Sequence, residues 1–220
     1  MKRLVPAALV LLCAAILAVP AAGSSSRANA SWQVTVTNLT PPGSQPLSAP
    51  LVVVHSNRAD VWSVGQIASH GVAAIAEDAD NTVLESALPQ LPGILSVGTV
   101  PGGPIMPGAS RTFTVHTQGK HDRLSLLTML VNTNDAFTGL DSQHLRGQGT
   151  VLSKGAYDAG SEQNNELASH IPGPCCNNPF VRDPEGALIR MHGGITGVGD
   201  LPPATYGWND PVVRISIARS

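Results

Sequence analysis

The chain has 220 residues, 42% of them hydrophobic and 13% charged, with a formal net charge of −2. Thirteen Lys and Arg stand against fifteen Asp and Glu, and no basic cluster exists with which to neutralise a phosphate backbone, so nucleic acid is excluded as a partner.

At the amino terminus Lys2 and Arg3 precede an apolar stretch over residues 4–19, and Ala28-Asn29-Ala30 offers a small-x-small cleavage site before Ser31. This predicts a secretory signal peptide over residues 1–30, with a second possible cut after Ala22. Cys13 leaves with it, and no later stretch is apolar for long enough to span a bilayer, so the product is not transmembrane. Removing residues 1–30 takes away Lys2, Arg3 and Arg27 and no acid, leaving ten basic against fifteen acidic residues and a net charge of −5. About 190 residues remain, one domain over 31–220 with a single well-buried core.

Residues 31–37 alternate, with Trp32, Val34 and Val36 on one face, and predict a half-buried strand. Apolar runs at 51–54, 94–100 and 124–131 predict interior strands, residues 111–117 a second alternating strand, and 212–217 a closing one. Between them, Val61, Val64, Ile67, Ala68 and Ile75 recur at near-helical spacing, which predicts a helix over 61–76 capped by Asp60, with a shorter helix over 82–88. Glu77 to Asn81 reads as the solvated turn between the two helices. Pro-Gly punctuation at 41–43, 101–104 and 172–174 implies long ordered loops, and residues 139–188 carry little periodic signal. Many short strands with one or two short helices predict a mainly β chain folded as an antiparallel β-sandwich.

Two acidic segments, 132–141 and 156–162, carry the chemistry. They interleave carboxylates with Asn, Gly and Ser, as a hard cation needing six to eight oxygens requires. Cys175 and Cys176 are adjacent; they can close an eight-membered ring, pair with another chain or stay reduced. Asp78 and Asp80 have the spacing of a calcium loop but lack its Gly and distal Glu. His192-Gly193-Gly194 has the form of an oxyanion loop, yet no Gly-x-Ser-x-Gly elbow accompanies it. The seven histidines are scattered singly, and Trp32, Trp62 and Trp208 read as core anchors.

The run from Asp122 to Ser142, followed by Tyr157-Asp158-Ala159-Gly160-Ser161-Glu162, closely resembles the spondin domain, the amino-terminal module of F-spondin and mindin that also occurs in bacterial secreted proteins. Trp62 to Gln66, Gly71 to Asp80, Ser110 to Val115 and His192 to Leu201 resemble that family in the expected order. The resemblance implies a C2-like antiparallel β-sandwich, calcium bound near loops at one end, and a role in adhesion or matrix contact. The family's Asp-aromatic-x-Gly-x-Asp pattern falls on Asp135 to Asp141, one residue longer between the first Asp and the Gly. Its Asp-Ala-Gly-Thr-acidic pattern falls on Asp158 to Glu162, with Ser161 for Thr. The implied metal ligands are Asp135, Asp141, Asp158 and Glu162, with Asp141 and Asp158 foremost and Asn134 or a nearby carbonyl completing the shell. No catalytic residue is assigned.

The function these readings predict is that of a secreted or periplasmic, calcium-binding, non-enzymatic domain whose partner is a cell-surface or matrix protein or a polysaccharide. The alternative is a periplasmic or secreted metal-dependent hydrolase.

Overall fold

In a computed structural model, which describes Met1 and residues 29–177 and 181–220, the strands form two antiparallel sheets packed face to face. β1 (Ala30–Asn38), β4 (Ser110–Thr117), β7 (Gly149–Lys154) and β10 (Val213–Arg219) make a four-stranded sheet in the order β4-β1-β10-β7. β2 (Leu51–His55), β3 (Ile94–Thr99), β5 (Arg123–Met129), β6 (Ala136–His144), β8 (Tyr157–Asp158) and β9 (Arg190–Met191) make a six-stranded sheet in the order β3-β2-β5-β6-β8-β9. The chain is therefore the mainly β, antiparallel β-sandwich that its alternating strands imply.

Two apolar layers account for the strand chemistry. Trp32, Val34 and Val36 of β1 meet Leu124 and Leu126 of β5 between the sheets. The outer face of the six-stranded sheet is covered by α1 (His70–Asp78) and α2 (Thr82–Ala87) through Val72, Ile75, Leu84 and Leu127. β2, β5 and the first half of β6 are thus buried on both faces and carry continuous apolar runs instead of alternation. A third, smaller cluster of Ile171, Ile195 and Leu201 lies beside Cys175 and Cys176, which are joined in a disulfide, and beside α3 (Pro203–Tyr206).

Trp62 packs on Phe137 and Tyr157 with both ring centroids at 4.9 Å, and its indole N–H donates to the Leu140 carbonyl at 3.2 Å. This aromatic trio locks β6 to β8 and to the segment before α1. Phe137 is fully buried, so Phe137→Ala is expected to cost about 3–5 kcal/mol in denaturant unfolding.

The sequence-based helix over 61–76 needs correction. Helix begins only at His70, capped by the Ser69 hydroxyl accepting from Val72 N–H at 3.3 Å, not by Asp60. Residues 61–69 run as extended chain and turns. Their apolar spacing is not a helical face, because Val61 and Trp62 are buried whereas Val64 and Ile67 are exposed. The second helix stands, but the turn expected over Glu77 to Asn81 is shorter, because α1 runs on through Glu77 and Asp78 and Asn81 is buried; Asp80 Oδ1 accepts from the Thr82 amide and hydroxyl. Most of the signal peptide expected over 1–30 lies outside the described residues, although Ala30 is already paired with Thr117 in the β1–β4 ladder. Among the described residues no helix is long and apolar enough to cross a membrane.

Candidate metal centre

The pairing of β6 with β8 brings the two acidic segments together. Ala136 lies opposite Asp158, and Ala159 N–H donates to the Asp135 carbonyl at 3.2 Å. The chain then turns at Gly160, whose φ of 68° and whose absent Cβ, 2.5 Å from the Ala187 carbonyl oxygen, leave no room for another residue. That turn aims two amides at one carboxylate: Ser161 N–H and Glu162 N–H donate to Asp135 Oδ2 at 2.8 and 3.0 Å, with the Ser161 hydroxyl at 3.3 Å.

Three carboxylate oxygens in this cluster are left over. Asp135 Oδ1 and both Glu162 oxygens are buried and accept no hydrogen bond. Asp135 is 0% and Glu162 1% exposed. Arg182 Nε comes within 3.3 Å of Glu162 Oε1, near enough for an ion pair yet out of line for a hydrogen bond, and Arg182 also pairs with Glu77 and Asp78. Burial, with the Asp158 charge adding to it, pushes the Asp135 carboxyl up to about 7 against the pull of the Ser161 and Glu162 bonds. Burial likewise pushes Glu162 up to about 8; Arg182 opposes the rise, and Glu77, Asp135 and Asp78 reinforce it.

Asp158, by contrast, is fully engaged. Its Oδ1 accepts from Gly160 N–H at 2.6 Å, and its Oδ2 from Asn164 Nδ2 at 2.8 Å and Arg190 Nε at 2.9 Å. Asn164 is held in turn by His192. Gly194 N–H donates to His192 Nδ1 at 2.9 Å, which leaves the ring proton on Nε2 to donate to Asn164 Oδ1 at 2.9 Å. Burial lowers the His192 pKa despite the Asp158, Glu166 and Asp210 charges, which agrees with a neutral ring. The His192-Gly193-Gly194 stretch is thus a support for Asp158, not an oxyanion loop.

Of the four expected ligands, the fold gathers Asp135, Asp158 and Glu162 but not Asp141. Asp141 lies five residues beyond Ala136 on β6, on the order of 15 Å along the strand. It is exposed and accepts from the Ser63 hydroxyl at 2.9 Å, which Asp60 shares. The emphasis on Asp141 is corrected on that ground. Asn134 is also committed elsewhere: its Oδ1 accepts from Glu166 N–H at 3.2 Å and its Nδ2 donates to Asn165 Oδ1 at 3.1 Å.

Sequence reasoning missed the residues that brace this centre. Glu166 is buried and accepts from Thr196 N–H and hydroxyl, Gly197 N–H and Val198 N–H at 2.6 to 3.1 Å. Burial pushes its carboxyl up, but these four bonds outweigh burial and hold it below its ordinary value. The available signal was the glycine-rich run from His192 to Asp200, whose closely spaced amides make a backbone cradle for an anion.

The donor set suits a hard cation in part. Among the described residues no three His, Cys, Asp or Glu side chains converge into a ready-made cage. Of the buried carboxylate oxygens without hydrogen bonds, Glu162 Oε1 has Arg182 as its positive counterpart, whereas no ion pair reaches Asp135 Oδ1 or Glu162 Oε2 among the described residues; calcium draws the remainder of its shell from carbonyls and water. Sequence comparison bears on the same segments. A family model described as Spondin_N matches residues 32–165, more than half of the chain, and spans β1 to the Asp158–Glu162 loop. No curated protein matches.

Proposed function

From the premise that this chain belongs to the Spondin_N family, an extracellular and non-enzymatic family, we propose that it is a secreted calcium-binding module that works in adhesion or matrix contact. The observation that carries the calcium reading is the set of buried, unbonded oxygens on Asp135 and Glu162. Arg182 reaches Glu162 Oε1 alone; buried carboxylate oxygens left without a partner are costly, and a divalent ion is the simplest group that removes the rest of the cost. Asp135 Oδ1 and Glu162 would hold the ion, with Asp158, fixed by Asn164 and Arg190, beside them. Oxygen-only donors and a loop turning on Gly160 favour calcium over a softer metal.

Bound calcium supplies positive charge that allows Asp135 and Glu162 to stay ionised in the folded state. The protein's own groups do the rest: Ser161 and Glu162 amides orient Asp135, and His192 and Asn164 orient Asp158. The ion thereby ties the loop after β8 to the start of β6. The partner is a cell-surface or matrix protein or a polysaccharide, contacted at a face that the ion keeps in shape.

Chelator-stripped protein given 1 mM calcium at pH 7.5 is expected to melt at least several degrees higher, because a ligand that binds only the folded state stabilises it by mass action. Identical melting with and without calcium would refute the site.

A further inference from the structure

At the opposite edge of the sandwich, four strand positions from β8 and thus roughly 20 Å away, the sheets part. Edge strand β3 of one sheet faces edge strand β4 of the other across a cleft of about 900 Å³, within the range of small-molecule sites. Its floor is apolar: Val52, Val100 and Val115, with half-buried Leu95 and Phe113 as walls.

Gly98 keeps this cleft open. It pairs with Val52, a residue of the inter-sheet core, so its missing side chain would point into the same space. Among the described strand glycines, Gly139 and Gly149 have positive φ and a Cβ that would collide with backbone. Gly98 has neither constraint, and a Cβ built on it meets nothing within 4 Å. A glycine in mid-strand costs stability, and with no turn or close packing to require it, its remaining use is room for a ligand.

The shape selects the ligand. Lining residues run from Leu95 to Val100 along β3, about 16 Å of strand, and facing sheets about 10 Å apart leave width for one chain where a side chain is missing. Glu85 Oε1 takes Thr99 N–H at 2.7 Å, which removes one donor from the open edge of β3. The charged side chain at the rim is Arg219, whose guanidinium also lies 6.0 Å from the Trp32 ring centroid, and no acidic side chain lines the cleft. We propose that the cleft between β3 and β4 binds a free long-chain carboxylate, its alkyl chain lying past Gly98 and its carboxylate meeting Arg219.

The test is displacement of a fluorescent polyene fatty acid by sodium hexadecanoate, with wild type, Gly98→Val, Gly98→Phe and Arg219→Gln compared. Saturable binding at one per chain is expected, weakened at least tenfold by Gly98→Phe and less by Gly98→Val. Arg219→Gln is expected to weaken the acid about tenfold and leave its methyl ester unchanged. Gly98→Val is also expected to melt about 2–4 °C higher, the gain of replacing a strand glycine, so lost binding there is not unfolding. Absence of saturable binding to wild type would overturn the proposal, as would wild-type affinity in folded Gly98→Phe. Sedimentation showing a wild-type dimer that Gly98→Phe splits would assign the cleft to a second copy of the chain instead.

Discussion

Stripped of calcium, the protein is expected to lose stability as pH rises from about 5 to about 8.5, and added calcium is expected to abolish most of that loss. Asp135 and Glu162 are displaced upward in the folded state, to about 7 and about 8, whereas in the unfolded chain they titrate near 4. Between those values the folded state holds protons that the unfolded state has released. Stability then falls with rising pH, being fully present below the unfolded pKa and lost as pH passes through the folded one. One pKa unit is about 1.4 kcal/mol, so ionising even one of these buried carboxyls costs on the order of 4 kcal/mol. At roughly 2–4 °C per kcal/mol for a chain of this size, the melting temperature in chelator should drop by about 8–16 °C. Thermal melts at pH 5, 7 and 8.5, with chelator and with calcium, measure this. A melting temperature in chelator that stays flat or rises across that range would show the two carboxylates to be compensated without a metal.

Glu166→Ala is expected to be among the most damaging single substitutions, costing about 3–5 kcal/mol in denaturant unfolding whether or not calcium is present. The side chain is 3% exposed and accepts four hydrogen bonds from the 196–198 cradle. Removing it takes the charged acceptor from three amides and a hydroxyl, and a hydrogen bond to a charged group is worth about 1.5–3 kcal/mol, less where the donor's residue is exposed, as Thr196, Gly197 and Val198 are. The backbone of residue 166, which the substitution keeps, joins the same two segments. Glu166 N–H donates to Asn134 beside Asp135, and Asp200 N–H donates to the Glu166 carbonyl. The residue therefore pins the segment beyond the family match to the acidic turn. Glu166→Gln should recover part of the loss, since its amide oxygen still accepts two of the bonds. A loss under 1 kcal/mol for Glu166→Ala would mean that the cradle is open to water.

Much of the sandwich is legible in the sequence because its strands follow two patterns. β1 and β10 alternate, since one face meets the core and the other meets solvent; β2 and β5 are apolar throughout, since helices cover their second face. β6 escapes both patterns. Ala136 and Leu140 face the inter-sheet core while Phe137 faces the helices, so no alternation survives. Its Thr138 and Gly139, flanked by Asp135 and Asp141, read instead as a ligand loop. Gly139 is there because a Cβ would lie 1.8 Å from the Leu126 carbonyl oxygen, a close approach within the sheet.

The candidate site shows the same division. Asp135, Asp158 and Glu162, the acids of the proposed site, stand out through the two acidic segments and the spondin pattern that falls on them. Which of the acids in the first segment belongs to it does not follow, because strand direction decides that. Once Ala136 pairs with Asp158, Asp135 is adjacent and Asp141 is carried away along β6. The braces at Glu166, Arg182, Arg190 and His192 come from residues distant in sequence, and single positions of this kind leave no local periodicity.

The most direct measurement is an equilibrium calcium titration of chelator-stripped protein, with Glu162→Gln and Asp141→Ala in parallel. One ion per chain is predicted for wild type and for Asp141→Ala, with affinity at least a hundredfold weaker in Glu162→Gln. Saturable binding that survives Glu162→Gln but disappears in Asp141→Ala, or no binding to wild type at all, would contradict a calcium centre built on Asp135 and Glu162.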